Sequence, residues 1–433
     1  MKHWLKDAHF RSLVKNSGYL AASRGVAGAC SLATLALAGR GLGVLLFGML
    51  ILITSYTKAA SGVAKFQSWQ LIVRYGGQGL AAGNPEQFKS STGFAAALDV
   101  LSGIVGMIGA VLLLPLIATA VGIDRQYWWL AMLYCTLLPT MGAASPNGVL
   151  RTLDRFDLIS WSSTLTPISR AIMAAVAFAA DASLPVYVAI WFTSDLAGDA
   201  YQWFLAWREL RRHDLHVGIR PTLKPTDLPG SWKFAIQINL AVGVQTVWGP
   251  IARLAVGGLL GPTGAALFRI ASSLADSAQK PADLLGKAFY PEIVRMDLKS
   301  RKPWRLMLRS AALATAIAAF GVAILILGGK PIIQLLFGED FLGAYAPLMV
   351  LMIVPVLGVL SFPLAPMLYA LGKGGAPLRA KLIASLLFFI SLAPLSWQFG
   401  VVGAAIAFVL ATTINVGVMI AQLGRQYRRL RPA

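Results

Sequence analysis

Several stretches of this chain run for the thickness of a bilayer or more without a single Lys, Arg, Asp or Glu. Val100 to Ile123 is one, and Gln126 to Leu150 is another. A third, Leu382 to Gly424, is long enough for two crossings and is broken by Trp397-Gln398-Phe399-Gly400. A membrane helix needs about 20 mostly apolar residues to cross the hydrocarbon core. These runs meet that requirement and point to transmembrane helices.

The same criterion along the rest of the chain predicts twelve spans. They lie at about 17–39, 42–66, 92–118, 127–150, 158–180, 184–207, 232–257, 263–288, 308–328, 344–370, 376–396 and 400–422. Composition agrees. Hydrophobic residues make up 57% of the 433, charged residues 13%, and mean hydropathy is +0.67. A soluble domain carries about 25% charged residues, so soluble globular, disordered and fibrous classes are excluded. Cys30 and Cys135 both sit in apolar stretches and support neither a disulfide framework nor a four-ligand metal site. His3, His9, His213 and His216 lie in charged segments near the ends of apolar runs, and His213 and His216, spaced for one helix face, have no Cys or carboxylate cluster around them, so no metal is expected. The N-terminus reads as lacking a cleavable leader, because no small-residue cleavage site and polar mature region follow the first apolar run.

Charge tests the span count. The chain has 38 Lys+Arg against 18 Asp+Glu, a formal charge of +20. Twelve spans place both termini on one side. That side includes the loops near 67–91, 151–157, 208–231, 289–307 and 371–381, and with the termini and the flanking residues at helix ends it holds 27 of the basic residues. The opposite loops hold Arg40, Arg125 and Lys330. The positive-inside rule makes the basic side cytoplasmic. Orientation thus accounts for most of the net charge, and no nucleic acid is needed to explain it.

The expected architecture is all-α: a polytopic membrane protein of about twelve helices in two six-helix bundles, with both termini cytoplasmic. Residues 1–207 form the N-terminal bundle, 208–231 a polar, Pro-rich cytoplasmic loop, and 232–433 the C-terminal bundle. Both halves begin on the same side, so they would be parallel repeats about an axis normal to the membrane. A shift of 218 residues superposes Lys15 on Lys233, Gly39 on Gly257 and Leu42-Gly43 on Leu260-Gly261. The longest outward loop, Gly329 to Gly343, is too small for a catalytic domain.

Eight basic residues fall inside the spans: Arg24, Lys58, Lys65, Arg170, Arg253, Arg269, Lys280 and Lys287. Asp99, Asp195, Asp199, Asp276 and Asp283 are the acidic ones, with Glu292 at a helix end. A charge at the bilayer centre costs about 2.5–3.5 kcal/mol on insertion scales, and such residues face a bundle interior or a wet cavity. Lys65 and Lys287, near helix ends, are expected to snorkel. Asp276, Lys280, Asp283 and Lys287 follow at spacings of four, three and four, which suits salt bridges along one helix face. Arg24, Lys58, Arg170, Arg253 and Arg269 have no carboxylate three or four residues away. With Lys280 they are expected to line a basic lumen between the halves that binds the substrate, the alternative being pairing across helices, for example with Asp99 or Asp195. Guanidinium forks match phosphate oxygens bidentately and Lys supplies a point charge, so an anionic, phosphate-bearing substrate fits. Asp195 and Asp199, four apart, are read together with Asp99 and Asp276 either as partners of those cations or as protonation sites for ion coupling. Trp161, Trp191 and Trp248 read as core packing. Trp128, Trp129, Trp203, Trp207, Trp232 and Trp397 read as an interfacial belt. Pro139, Pro167, Pro281, Pro355, Pro363 and Pro366 permit kinks within spans.

Helix 1 reads Leu13-Val-Lys-Asn-Ser-Gly-Tyr-Leu-Ala-Ala-Ser-Arg24-Gly. Helices 7 and 8 run from Arg253-Leu-Ala-Val-Gly-Gly-Leu-Leu-Gly261 through Arg269 and Lys280-Pro to Tyr290-Pro-Glu-Ile. With the length and the six-plus-six arrangement, these segments resemble Wzx-type polysaccharide flippases of the multidrug/oligosaccharidyl-lipid/polysaccharide exporter superfamily. The resemblance implies two helix bundles around a cationic cavity and no enzymatic activity. It implies an undecaprenyl-pyrophosphate-linked oligosaccharide moved from the cytoplasmic to the periplasmic leaflet of a bacterial inner membrane. Arg24 matches a basic cavity position of the superfamily, and Lys58, Arg253 and Arg269 carry over more loosely. Cofactors are not implied; H+ or Na+ coupling is. Expected partners are membrane lipid, the lipid-linked substrate, a polysaccharide polymerase and a chain-length regulator, and a monomer is favoured although the sequence leaves the oligomeric state open. The lipid II flippase branch usually carries two further C-terminal helices, which this chain lacks. Two other readings compete: a cation-coupled multidrug exporter of the same superfamily, which would want an acidic lumen, and a membrane-embedded glycan polymerase, ligase or glycosyltransferase, which would want a larger outer loop or convergent carboxylates.

Overall fold

The computed structural model describes residues 8–225, 227–294, 302–373 and 375–430. Side chains are described at 25–225, 227–240, 243, 246–278, 304–373 and 375–428, less 306, 310, 313, 314 and 317. Among these residues every regular element is helical. The first helical run, Ala8–Ala64, has 57 residues. At 1.5 Å per residue it is about 85 Å long, nearly three hydrocarbon cores, so it holds two spans. Gly43 divides them, with φ 68 and ψ 173. Ser231–Val294 is divided in the same way at Gly261, with φ 71 and ψ −177. Both conformations lie where only glycine rests without strain. A Cβ at either position would meet nothing within 4 Å, so the requirement is conformational rather than steric.

Gly43 and Gly261 are related by the same 218-residue shift seen in the sequence, and the shift recurs at a helix end. Ala144–Thr152 closes with Leu153 N–H on Val149 O, Asp154 N–H on Arg151 O and Arg155 N–H on Leu150 O. Leu364–Ala370 closes with Leu371 N–H on Met367 O, Gly372 N–H on Tyr369 O and Lys373 N–H on Leu368 O. Each bond of the second set is the first moved by 218 residues. The left-handed residue falls at Asp154 (φ 56) in one and Gly372 (φ 71) in the other, the usual way a helix meets its last free carbonyls.

The structure departs from the sequence expectation in four places. The expected loop at 67–91 is mostly helical: Trp69–Leu71, a π-helical turn Ile72–Gly76 and Gly77–Ala81 lead into Pro85–Ile117. The charge-free run expected to form one helix at 127–150 is two, Trp128–Cys135 and Ala144–Thr152. The span expected at 344–370 is three short helices, Tyr345–Leu351, Ile353–Ser361 and Leu364–Ala370; Pro363 and Pro366 remove the donors that would continue the second into the third. Finally, Lys302–Phe337 runs through much of the expected outward loop. Phe156–Ala179, Leu184–Arg212 and Gly375–Leu430, the last divided at Gly400, complete the order.

The chain clusters into two compact units, Met1–Leu42 with Leu52–Ile251, and Gly43–Ile51 with Ala252–Ala433. In the first, Ile72, Phe88, Val149, Leu150, Ile159 and Leu205 are buried together. The segment after Arg212 is strapped onto this unit. Leu228 is buried with Leu71, Tyr75 and Phe94, Ser90 Oγ donates to Asp227 Oδ1 at 2.6 Å, and Tyr75 OH donates to the Pro229 carbonyl at 3.1 Å. In the second unit, Met367, Leu368, Ala380, Val416 and Met419 form a core. Large apolar side chains also face outward: Val105, Ile108, Leu112 and Leu116 of Pro85–Ile117 are each at least half exposed. Spaced three and four apart, they make one helix face, which lipid would cover.

Candidate functional site

In the first unit Lys65, Asp99 and Asp199 gather around the interrupted helix. Between Cys135 and Ala144 the backbone leaves the helical path, with Gly142 and Ala143 both at positive φ. The interruption frees carbonyls on one side and amides on the other, and in a membrane such groups need partners. Lys65, at the end of the first helical run, donates from Nζ to the carbonyls of Met141 at 2.6 Å and Pro139 at 3.3 Å. It is buried at 7% exposure, so it does not snorkel as the sequence suggested. Asp99 of Pro85–Ile117 takes the other side. Its Oδ2 accepts the Ser145 amide at 2.7 Å and the Ser145 hydroxyl at 2.6 Å, and its Oδ1 accepts from Ser68 Oγ. A carboxylate thus sits at the N-terminus of Ala144–Thr152, where the helix dipole favours it. Asp199 accepts the backbone N–H of Gly142, within electrostatic reach of Lys65 and Asp195.

One turn before Asp199, Asp195 meets Arg170. Phe156–Ala179 and Leu184–Arg212 approach closely at Gly198, where a Cβ would overlap the Thr166 hydroxyl; small residues permit such contact between membrane helices. That approach lets Arg170 Nη2 donate to Asp195 Oδ1 and Arg170 Nε to Ser194 Oγ at 2.8 Å. Tyr134 OH donates to the other oxygen, Asp195 Oδ2. The Arg170 guanidinium also lies 5.2 Å from the Trp191 ring centroid. Arg170 therefore takes the cross-helix partner that the sequence held open for it.

At the far end of the same two helices, Arg155 makes two parallel bonds to Asp157, at 2.9 and 3.0 Å, and a third to the buried Glu209 at 2.5 Å. The Arg155 hydrogen bond holds the Asp157 carboxyl below the usual carboxylate range.

In the second unit the Gly261 break sets the geometry. Arg253 and Arg269 lie eight residues before and after it. In an unbroken helix they would be about 24 Å apart. Here their guanidiniums lie within electrostatic reach of each other and of Asp276, which is exposed two turns beyond Arg269. Two cations thus face one carboxylate. Of the remaining expected residues, Lys58 is exposed on the first helical run. The side chains of Arg24, Lys280 and Lys287 lie outside the described residues, as do those of Asp283 and Glu292. Among the described residues no group of three His, Cys, Asp or Glu could hold a metal ion.

No family model matches the sequence. The chain is 39% identical over 347 residues to the inner membrane protein YghQ of Escherichia coli (strain K12), an alignment covering 80% of this chain and 98% of that protein. Among solved structures it resembles an inward-facing multidrug resistance MATE family transporter of the MOP superfamily, with TM-score 0.70, 15% identity and 95% of each chain covered. It also resembles the lipid II flippase MurJ in an inward closed conformation, with TM-score 0.71, 13% identity, and 95% of this chain and 89% of that one covered. A MATE transporter of Vibrio cholerae matches at TM-score 0.64 and 15% identity over 97% of both chains. At these identities the likeness is one of fold. The fold is that of MOP superfamily transporters and flippases, all-helical and multi-spanning, and these neighbours are not enzymes.

Proposed function

The chain belongs to the family of the Escherichia coli inner membrane protein YghQ, and on that footing we propose that it is a Wzx-like flippase of the bacterial inner membrane. Its substrate is an undecaprenyl-pyrophosphate-linked oligosaccharide, carried by alternating access from the cytoplasmic to the periplasmic leaflet for O-antigen, capsule or exopolysaccharide synthesis. The observation that carries this reading is the Arg253–Arg269 pair, two guanidiniums within electrostatic reach with Asp276 as the neighbouring carboxylate. A pyrophosphate bears two phosphoryl groups, and each offers oxygens to a guanidinium fork. An exporter of cationic drugs would have no use for two such cations in one helical hairpin. Direction comes from a bias between two states, supplied by an H+ or Na+ gradient or by a periplasmic polymerase consuming the product. Asp199, held by the Gly142 amide rather than by a guanidinium, is the carboxylate best placed to exchange an ion.

The test is reconstitution in liposomes with a fluorescent undecaprenyl-pyrophosphate disaccharide, scored by how much label becomes reachable from the other side. The wild-type protein should move the lipid, and R253Q/R269Q should be slower by at least about tenfold, a loss of about 1.4 kcal/mol in transition-state binding. Wild-type movement no faster than in protein-free liposomes would overturn the proposal.

A further inference from the structure

Leu184–Arg212 presents an outer face that the transport site does not use. Leu196, Ala200, Phe204, Trp207, Arg208 and Arg211 are all exposed. Their spacing of three and four places them in one row along the helix. The row is apolar over its first three members, aromatic at Trp207 and cationic beyond. Phe204 is 51% exposed and Trp207 46%, values that suit contact with acyl chains and then with the headgroup layer, where tryptophan collects.

The cationic end is built rather than scattered. The Arg211 guanidinium lies 3.8 Å from the Trp207 ring centroid. That contact fixes the guanidinium's position and leaves its charge in place. The neighbouring carboxylate is turned away: Glu209 is fully buried and bound by Arg155, with Arg208 Nη2 3.5 Å from its other oxygen. No described carboxylate lies within salt-bridge distance of Arg211 or Arg212, whereas Lys89 has one and Arg155 has two.

We propose that this face is a binding site for an anionic phospholipid. One acyl chain lies along Leu196, Ala200 and Phe204. The phosphate is taken by Arg211, pre-oriented on Trp207, with Arg208 and Arg212 beside it. A guanidinium fork fits a phosphate diester. A zwitterionic headgroup would bring its own ammonium up against three arginines, so the site discriminates by net charge.

The full-length purified protein, offered equimolar dioleoylphosphatidylglycerol and dioleoylphosphatidylcholine, is scored for retained lipid by native mass spectrometry. Phosphatidylglycerol should predominate. R211Q/R212Q leaves both guanidinium partners of Glu209 in place. It should cut phosphatidylglycerol binding about tenfold, since each arginine near a membrane surface is worth a several-fold change, and leave phosphatidylcholine unchanged. R425Q/R428Q removes the same charge from another exposed helix end and should change binding less than about twofold. Should the double variant melt early, R211Q alone, which loses only the Trp207 contact, is the variant to read and should lose about threefold. Equal uptake of the two lipids by the wild type would overturn the proposal. So would equal losses in both double variants, or a dimer that R211Q/R212Q dissociates with lipid uptake unchanged.

Discussion

Lys65, Asp99 and Asp199 share one environment, and none was placed there by a charge partner on its own helix. Each meets backbone groups freed by the interruption between Cys135 and Ala144: carbonyls for the lysine, amides for the two aspartates. The sequence carried the signal. Pro139, Gly142 and Pro146 stand in the middle of the charge-free run, and reading that run as one helix missed it. Arg170 and Asp195 form a second, partly buried set, with side-chain exposures of 14% and 20%. Removing one partner of such a pair strands the other, so R170M and D195N should each cost about 3 kcal/mol of stability. The double variant should cost less than the sum of the two, because the coupling is then counted once. Thermal unfolding of the four proteins in detergent measures this, and additive losses would mean that the two side chains do not stabilise each other.

At the scale of the element, two glycines carry what propensity does not. Runs of 57 and 64 residues exceed any single crossing, and each is divided at a glycine in a glycine-only conformation. Gly43→Ala and Gly261→Ala should each lower stability by about 1–3 kcal/mol, the cost of such a conformation for any other residue. Gly109→Ala should instead be neutral or stabilising by up to about 1 kcal/mol, since Gly109 is helical and its Cβ would meet nothing within 4 Å. Melting temperatures of the three variants compare these directly. Loss of stability at Gly109 equal to that at Gly43 would point to helix packing instead of backbone strain. The 218-residue shift was visible in the sequence only at scattered positions. The backbone repeats it bond for bond at the Leu153 and Leu371 caps, because cap geometry tolerates sequence change that residue matching does not.

At the scale of the whole molecule, charge placement is the organising quantity. Of 38 Lys+Arg, 27 fall on one side of the twelve expected spans, and the positive-inside rule predicts cytoplasmic termini from that asymmetry. Green fluorescent protein fused to the C-terminus and expressed in a bacterial cell should therefore fluoresce, while alkaline phosphatase at the same position should stay inactive. An active phosphatase would reverse the orientation and, with it, the direction of transport.

Hydropathy and charge act along the chain, one residue after another, and so the sequence by itself determined the helical class and the approximate spans, and singled out the charged residues expected within them. It could not tell which of those charges serve structure. Lys65 meets carbonyls 74 and 76 positions away, Arg170 meets a carboxylate 25 positions away on another helix, and Arg253 comes within electrostatic reach of Arg269 across the chain break at Gly261. Contacts of that kind depend on how helices pack and where they stop. Only the tertiary structure decided them, because burial obliges every freed backbone group and every intramembrane charge to find its partner across helices.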